Sequence, residues 1–125
     1  MNLTPESKVL VQGITESPAS TRAALMMKAY GTNVVAGVSP GRGGLDLEGI
    51  PIFDLVEEAV AAVGHIDTTV ILVDAYWVLD AALEAIAAGI RQIAIVTEGV
   101  PPLDLVHLVR KAEATETLVI GPNSP

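Results

Sequence analysis

The sequence contains 125 residues, carries a net charge of −8, is 50% hydrophobic and has no cysteine. The missing cysteine excludes disulfides, thiolate catalysis and zinc–thiolate sites, and the negative charge argues against binding to a nucleic-acid backbone. No apolar run reaches the roughly 18 residues that span a bilayer, and residues 1–8 lack the apolar centre of a signal peptide. We therefore expect one cytoplasmic domain over residues 1–125, with no nucleic-acid or membrane partner.

Short β-branched runs alternate with longer Ala- and Leu-rich segments of helical spacing. This alternation predicts an α/β fold with a mostly parallel sheet and helices on both faces. Strands are predicted near residues 8–13, 33–38, 69–73, 92–97 and 117–120. Helices are predicted near 19–30, 54–63, 78–88 and 102–114, with Gly31, Gly64 and Gly89 at three of their ends. The continuous apolar runs at 70–73 and 93–96 are typical of central strands.

The loop at residues 39–44 (SPGRGG) is the most Gly- and Pro-rich segment, and it follows a predicted strand. Ligands of open parallel sheets bind beyond the carboxyl ends of the strands, so a site is expected there. Residues 18–45 contain no acid and three cations, Arg22, Lys28 and Arg42, which supports an anion site in the same region. Arg42 among glycines can approach a phosphate closely; the alternative is a solvated arginine on a surface hairpin.

Several segments match a known family in the same order along the chain. They are residues 11–15 (VQGIT), 30–44 (YGTNVVAGVSPGRGG), 49–53 (GIPIF), 84–90 (EAIAAGI), 97–101 (TEGVP) and 121–125 (GPNSP). Together they resemble the CoA-binding domain of the succinyl-CoA synthetase (succinate–CoA ligase) alpha subunit, and several ordered motifs are far more specific than one glycine pattern. The resemblance covers almost the whole chain and implies a Rossmann-like fold that holds coenzyme A.

The resemblance also implies which residues contact coenzyme A. In the family the turn after the first strand cradles phosphates, where a helix N-terminus offers unpaired amides. Arg42 stands in place of the family's lysine, residues 96–98 would line the cleft, and Asn123 lies near the thiol end of the cofactor. The cofactor-binding positions implied are Thr15, Glu16, Ser17, Pro18, Ser39, Pro40, Arg42, Val73, Val96, Thr97, Glu98 and Asn123.

The first loop departs from the family pattern. Two of the family's phosphate-loop glycines are replaced, and Glu16 puts a carboxylate where a phosphate is expected, which repels the phosphate unless the side chain turns away. Ser17 or Ser20 either caps the following helix or contacts the ligand. Tyr76 and Trp77 can stack on an adenine ring, but we favour a packing or interface role for the tryptophan.

The family's alpha subunit continues into a second domain that carries a phosphorylated histidine. His65 and His107 lie in no matching motif, so we expect both at the surface, no catalytic residue in this chain, and no acyl-CoA ligation without a partner. That partner is either another copy of the chain or a ligase subunit or domain. The acids between residues 46 and 58 are interpreted as a solvated face, not as a metal site.

Three functions remain open. The first is a CoA-binding domain or small subunit of a succinyl-CoA synthetase-like ligase. The second is a non-enzymatic regulatory or assembly protein that retains the fold with a degenerate cofactor site. The third is binding of another nucleotide, although the Gly-x-Gly-x-x-Gly fingerprint of dinucleotide sites is missing after the first strand.

Overall fold

A seven-stranded sheet forms the centre of the computed structural model, which describes residues 3–122. The strands are β1 (Val9–Gln12), β2 (Val34–Val38), β3 (Asp46–Leu47), β4 (Ile50–Phe53), β5 (Thr68–Ile71), β6 (Gln92–Ile95) and β7 (Leu118–Ile120). The helices are α1 (Pro18–Ala29), α2 (Val56–Val63), α3 (Val78–Ala87) and α4 (Pro102–Ala114), and a 3₁₀ turn at Ala75–Trp77 precedes α3. The strand order is β3-β4-β2-β1-β5-β6-β7, and only the β3–β4 pair is antiparallel. The predicted mostly parallel, Rossmann-like α/β fold is confirmed.

Local sequence signals explain most of these elements. The N-cap of α1 is Ser17, whose side chain accepts a hydrogen bond from the Ser20 backbone N–H, and Pro18 follows at the first helical position. Helices α1, α2 and α3 end one or two residues before the predicted glycines. Strand β1, which has neighbours on both sides, is buried along its whole length, as expected for a strand in the middle of a covered sheet.

The β3–β4 hairpin was not predicted. Its two-residue turn, Glu48–Gly49, has positive φ at both positions (47° and 93°), the requirement of a type I′ hairpin. Glutamate is an unusual residue in such a turn, and Pro51 inside the second strand is a signal against a strand. The structure tolerates Pro51 because β4 pairs with β2 only from Ile52 onward.

The helices cover the two faces of the sheet unequally. Helices α2, α3 and α4 pack around one core with Leu10, Ile71 and Ile93, whereas α1 packs alone on the other face with Val11 and Ile52. The direction of each crossover explains this, because right-handed connections to the left and to the right of β1 place their helices on opposite faces. Within residues 3–122, the face that carries α1 therefore has no helix over β5, β6 and β7.

Among residues 3–122, no helix combines the length and the apolar character needed to cross a membrane.

Candidate functional site

The loops that follow β1, β2, β5 and β6 lie side by side, because these four strands are neighbours in the sheet. The chain leaves β1 toward β2 on one side and leaves β5 toward β6 on the other, which makes the β1–β5 boundary the topological switch point. The predicted site residues within the described part of the chain lie in these loops, except Pro18, which is the first residue of α1. Asn123 lies outside the described residues.

The first loop, residues 13–17, is packed tightly against its neighbours. Gly13 has φ +87°, and a Cβ placed there would lie 2.7 Å from the backbone nitrogen of Val73. Thr15 donates from both its backbone N–H (3.2 Å) and its hydroxyl (2.8 Å) to the buried Ser39 Oγ. The loop is therefore tied to the strand ends on both sides.

The second loop, residues 39–44, is organised by a carboxylate from the end of β4. Asp54 Oδ1 accepts hydrogen bonds from the backbone N–H groups of Gly41 (2.7 Å) and Gly43 (3.0 Å). A Cβ at Gly43 would lie 2.6 Å from the Asp54 carboxylate, so a side chain there would displace the carboxylate from the two amides. Arg42, between these two glycines, is exposed.

The loops after β5 and β6 are joined by one short hydrogen bond, in which Thr97 Oγ1 donates to the Val73 carbonyl oxygen (2.6 Å). Val96 and Glu98 on either side of Thr97 are exposed. Across the cleft, Glu16 Oε1 accepts from the Asp74 backbone N–H at 3.2 Å. The Glu16 carboxylate thus bridges the first loop to the turn after β5.

A cavity of about 300 Å³ lies at the switch point. One wall is apolar and aromatic, and three carboxylates, those of Glu16, Asp80 and Glu84, line the remainder. The full lining is Gln12, Gly13, Glu16, Val38, Pro40, Val73, Trp77, Asp80, Ala81 and Glu84. Only Glu16, Pro40 and Val73 of these were predicted.

Two of the residues that sequence reasoning missed make the floor and one wall of the cavity rigid. Gln12 is buried, donates from Nε2 to the Ala81 carbonyl (2.9 Å), and accepts from the Thr69 hydroxyl (2.7 Å). Glu84 Oε2 accepts from the Val56 backbone N–H (2.8 Å) at the start of α2. A signal for this wall was present in the sequence but was not used. It is the helical spacing that puts Trp77, Asp80, Ala81 and Glu84 on one face of a helix.

The aromatic turn at the cavity is exposed. Trp77 retains 62% of its accessible surface and Tyr76 retains 76%, so neither side chain packs into the core. The interpretation of Trp77 as a packing residue of this chain is wrong, because the 3₁₀ turn directs the ring to the rim of the cleft. The two remaining interpretations of Trp77 are contact with a ligand and contact with a partner protein.

The remaining candidate residues sort by their position in the fold. Lys28 lies in the last turn of α1 and its Nζ donates to the Glu48 carbonyl at the opposite end of the sheet, so it is not part of an anion site with Arg42.

His65 and His107 are exposed as predicted. Within residues 3–122, His65–Asp67 (3.3 Å) is the only ion pair, and no group of acids and histidines could hold a metal ion.

A family model described as CoA binding domain matches residues 4–99 of the chain. The chain belongs to the CoA-binding domain family. The predicted resemblance is confirmed, and coenzyme A is the cofactor that this family shares.

The relatives agree with this assignment. The alpha 1 subunit of the ADP-forming succinate–CoA ligase of Archaeoglobus fulgidus is 44% identical over 119 residues, which are 95% of this chain and 40% of that protein. The chain thus spans about two fifths of the length of the curated relatives it matches. Among solved structures, PH0766 of Pyrococcus horikoshii has a TM-score of 0.80 at 20% identity, covering 97% of this chain and 28% of that one.

A second solved structure, the ATP citrate lyase of Methanothrix soehngenii in complex with citrate and coenzyme A, has a TM-score of 0.75 at 20% identity. It covers 98% of this chain and 21% of that chain. At this identity the likeness supports the fold of the CoA-binding domain.

Proposed function

We propose that this chain is the CoA-binding part of a succinyl-CoA synthetase-like ligase and that it binds coenzyme A at the β1–β5 switch point. The observation that carries the proposal is the cavity there, which is lined by the exposed Trp77 ring and by Pro40 of the second loop, the loop that also carries the exposed Arg42. An aromatic face suits an adenine ring, and a guanidinium suits a phosphate. These are the two chemical ends of an adenosine phosphate.

The dimensions of the cavity fit part of the cofactor. A volume of about 300 Å³ is at the lower end of small-molecule sites and accommodates one ring system with its sugar. The rest of coenzyme A would extend along the rims of the loops, past Thr97 and Glu98 after β6. Arg42, Thr15 and Ser17 would meet phosphates, and Pro18 would start α1 behind them.

Ligation of an acid to coenzyme A needs more than these residues supply. His65 and His107 are outside the cleft and exposed, so neither is available as a phosphate carrier at this site. We propose that the group that transfers phosphate is provided by another domain or subunit, as the succinate–CoA ligase relatives suggest. The acid substrate belongs to that larger assembly.

The single tryptophan of the chain makes a direct test possible. Because Trp77 is the only one and lines the cavity, its fluorescence, excited near 295 nm to avoid adenine absorption, reports occupancy of the site. Titration with coenzyme A should change this signal saturably, with calorimetry giving the same dissociation constant. Dephospho-CoA, NAD and ATP serve as comparators.

The role of Arg42 is tested by Arg42→Ala, with Arg110→Ala on α4 as the control of equal charge. Arg42→Ala should weaken coenzyme A binding about 10- to 100-fold, the worth of a charge-assisted hydrogen bond. Arg110→Ala should leave it unchanged. Absence of any fluorescence or heat signal with coenzyme A would overturn the proposal.

A second candidate is a regulatory or assembly protein with a degenerate site. The observation that favours it is the acid lining, because Glu16, Asp80 and Glu84 all face the cavity and none forms an ion pair within residues 3–122. Failure of every nucleotide to bind would support this candidate.

A further inference from the structure

One part of the sheet is largely apolar and, within residues 3–122, is covered by no helix. The strands β5, β6 and β7 place Val70, Ala94, Val96, Leu118 and Ile120 on the face that carries α1; we call these five residues the open face. Thr68 and Gln92 lie on the same face, at its amino end. Val70, Ala94 and Ile120 are aligned across the three strands by the parallel register. Val96, Leu118 and Ile120 expose 57%, 45% and 43% of their surface. Parallel sheets are normally covered on both faces, so the open face needs an occupant.

Helix α1 borders the open face and turns an apolar side away from the sheet. Ala24 is buried in the core, and Ala19, Met26 and Tyr30 lie on the opposite side of the helix. Met26 and Tyr30 retain 56% and 84% of their accessible surface. The outer side of α1 therefore exposes apolar area next to the open face.

The outer side of α1 is also nearly free of charge. The acid-free segment noted in the sequence includes all of α1, and on its solvent side Arg22 is the one charged residue, beside Ala19, Met26 and Ala29. A solvent-facing helix normally carries charges of both signs on its outer side. The composition of α1 is therefore that of a helix that is covered on more than one side.

We propose that a second copy of this chain covers the open face by placing the outer side of its own α1 against it. A two-fold axis parallel to the strands places α1 of each copy over β5, β6 and β7 of the other. Such an interface is isologous, which is the most common arrangement of homodimers. Both uncovered features of each chain are filled by the same contact.

The dimensions are compatible with this arrangement. The 12 residues of α1 form a rod about 18 Å long and about 10 Å wide. The outer strands of the β5–β6–β7 group lie about 10 Å apart, since neighbouring strands are separated by about 4.8 Å. One helix therefore fits the uncovered width, and the two-fold symmetry doubles the contact.

Charge complementarity supports the second copy. Arg22 lies in the second turn of α1, at the carboxyl end of the sheet, and the exposed Glu98 follows β6 at the same end. An axis parallel to the strands keeps the carboxyl ends of the two sheets together. Each Arg22 then comes to the Glu98 of the partner copy.

The test is sedimentation equilibrium of the 125-residue chain between about 1 and 100 µM, the range in which a dissociation constant typical of a moderate interface is visible. The expected result is a mass that approaches twice that of the chain. Met26→Glu and Ile120→Glu, both at exposed positions that a monomer tolerates, should raise the dissociation constant at least tenfold by burying an unpaired charge. Val106→Glu, at an equally exposed position on α4, should leave it unchanged.

A charge exchange tests the two-fold arrangement itself. Arg22→Glu and Glu98→Arg should each weaken the dimer, and the double variant should recover much of the loss. A chain that stays monomeric at the highest concentration would overturn the proposal and assign the open face to a helix of another segment or subunit. A dimer that resists Met26→Glu and Ile120→Glu, or whose double variant shows no recovery, would equally overturn it.

Discussion

The first loop and the second loop occupy equivalent places after neighbouring strands, yet they carry opposite charges. The first loop is held by close packing of Gly13 against the backbone that follows β5, and its Glu16 lines the cavity. The second loop is held by Asp54 and carries the exposed Arg42. The fold provides two candidate phosphate positions, and side-chain charge favours the second.

The largest expected loss of stability tests whether close packing holds the first loop more tightly than the second. Gly13→Ala should lower the free energy of unfolding by about 3 kcal/mol or more, because its Cβ would overlap the Val73 backbone and its φ is positive. Gly41→Ala has the same sign of φ but open space around it, so it should cost only about 1 kcal/mol. Chemical denaturation of both variants measures the difference. Equal losses would show that packing does not set the first loop apart.

Removal of the carboxylate that organises the second loop should have the next largest effect. Asp54→Ala leaves the Gly41 and Gly43 amides without their acceptor, and we expect a loss of about 2 kcal/mol. Asp54→Asn keeps an oxygen that can accept, so it should lose less than half as much. Denaturation midpoints compare the two, and an Asn variant as unstable as the Ala variant would contradict this interpretation.

The third largest loss of stability is expected when the Ser39 hydroxyl, which joins the first and second loops, is removed. Ser39→Ala removes the shared acceptor of the Thr15 N–H and hydroxyl and should cost about 1.5 kcal/mol. Thr15→Val removes one of the two donors. A double-mutant cycle on this pair should give a coupling energy of about 0.5 to 1 kcal/mol, whereas strict additivity would mean that the loops are independent.

The smallest expected effect concerns charge alone. Glu16→Gln keeps an acceptor for the Asp74 N–H but removes the negative charge, so coenzyme A should bind about fivefold more tightly with little change in stability. Glu113→Gln, on α4 and remote from the cavity, is the control of equal net charge. Calorimetric titration with coenzyme A compares the dissociation constants of the two variants. An unchanged or weaker affinity in Glu16→Gln would show that the first loop does not repel the cofactor.

Much of the fold was predictable because its signals are local. Short β-branched runs and helical apolar patterns, with Ser17 and Pro18 at one helix start, place strands and helices from neighbouring residues alone. The β3–β4 hairpin escaped because its turn residue Glu48 and its strand residue Pro51 are both locally unfavourable. The hairpin is stabilised by the pairing of β4 with β2 and by hydrogen bonds between β4 and the end of the second loop. A local sequence pattern does not show these contacts.

The sequence by itself determined the four helices, five of the seven strands and the family, and it predicted the loops at which a ligand would bind. Tertiary structure decided the electrostatics of those loops. It separated Lys28 from Arg42 along the length of α1, brought Asp54 back to the second loop, and placed Asp80 and Glu84 beside Glu16. In the described part of the chain it also left one face of β5, β6 and β7 without a covering helix. The physical reason is that charge and burial depend on which segments meet in space, and the crossovers of the sheet decide that.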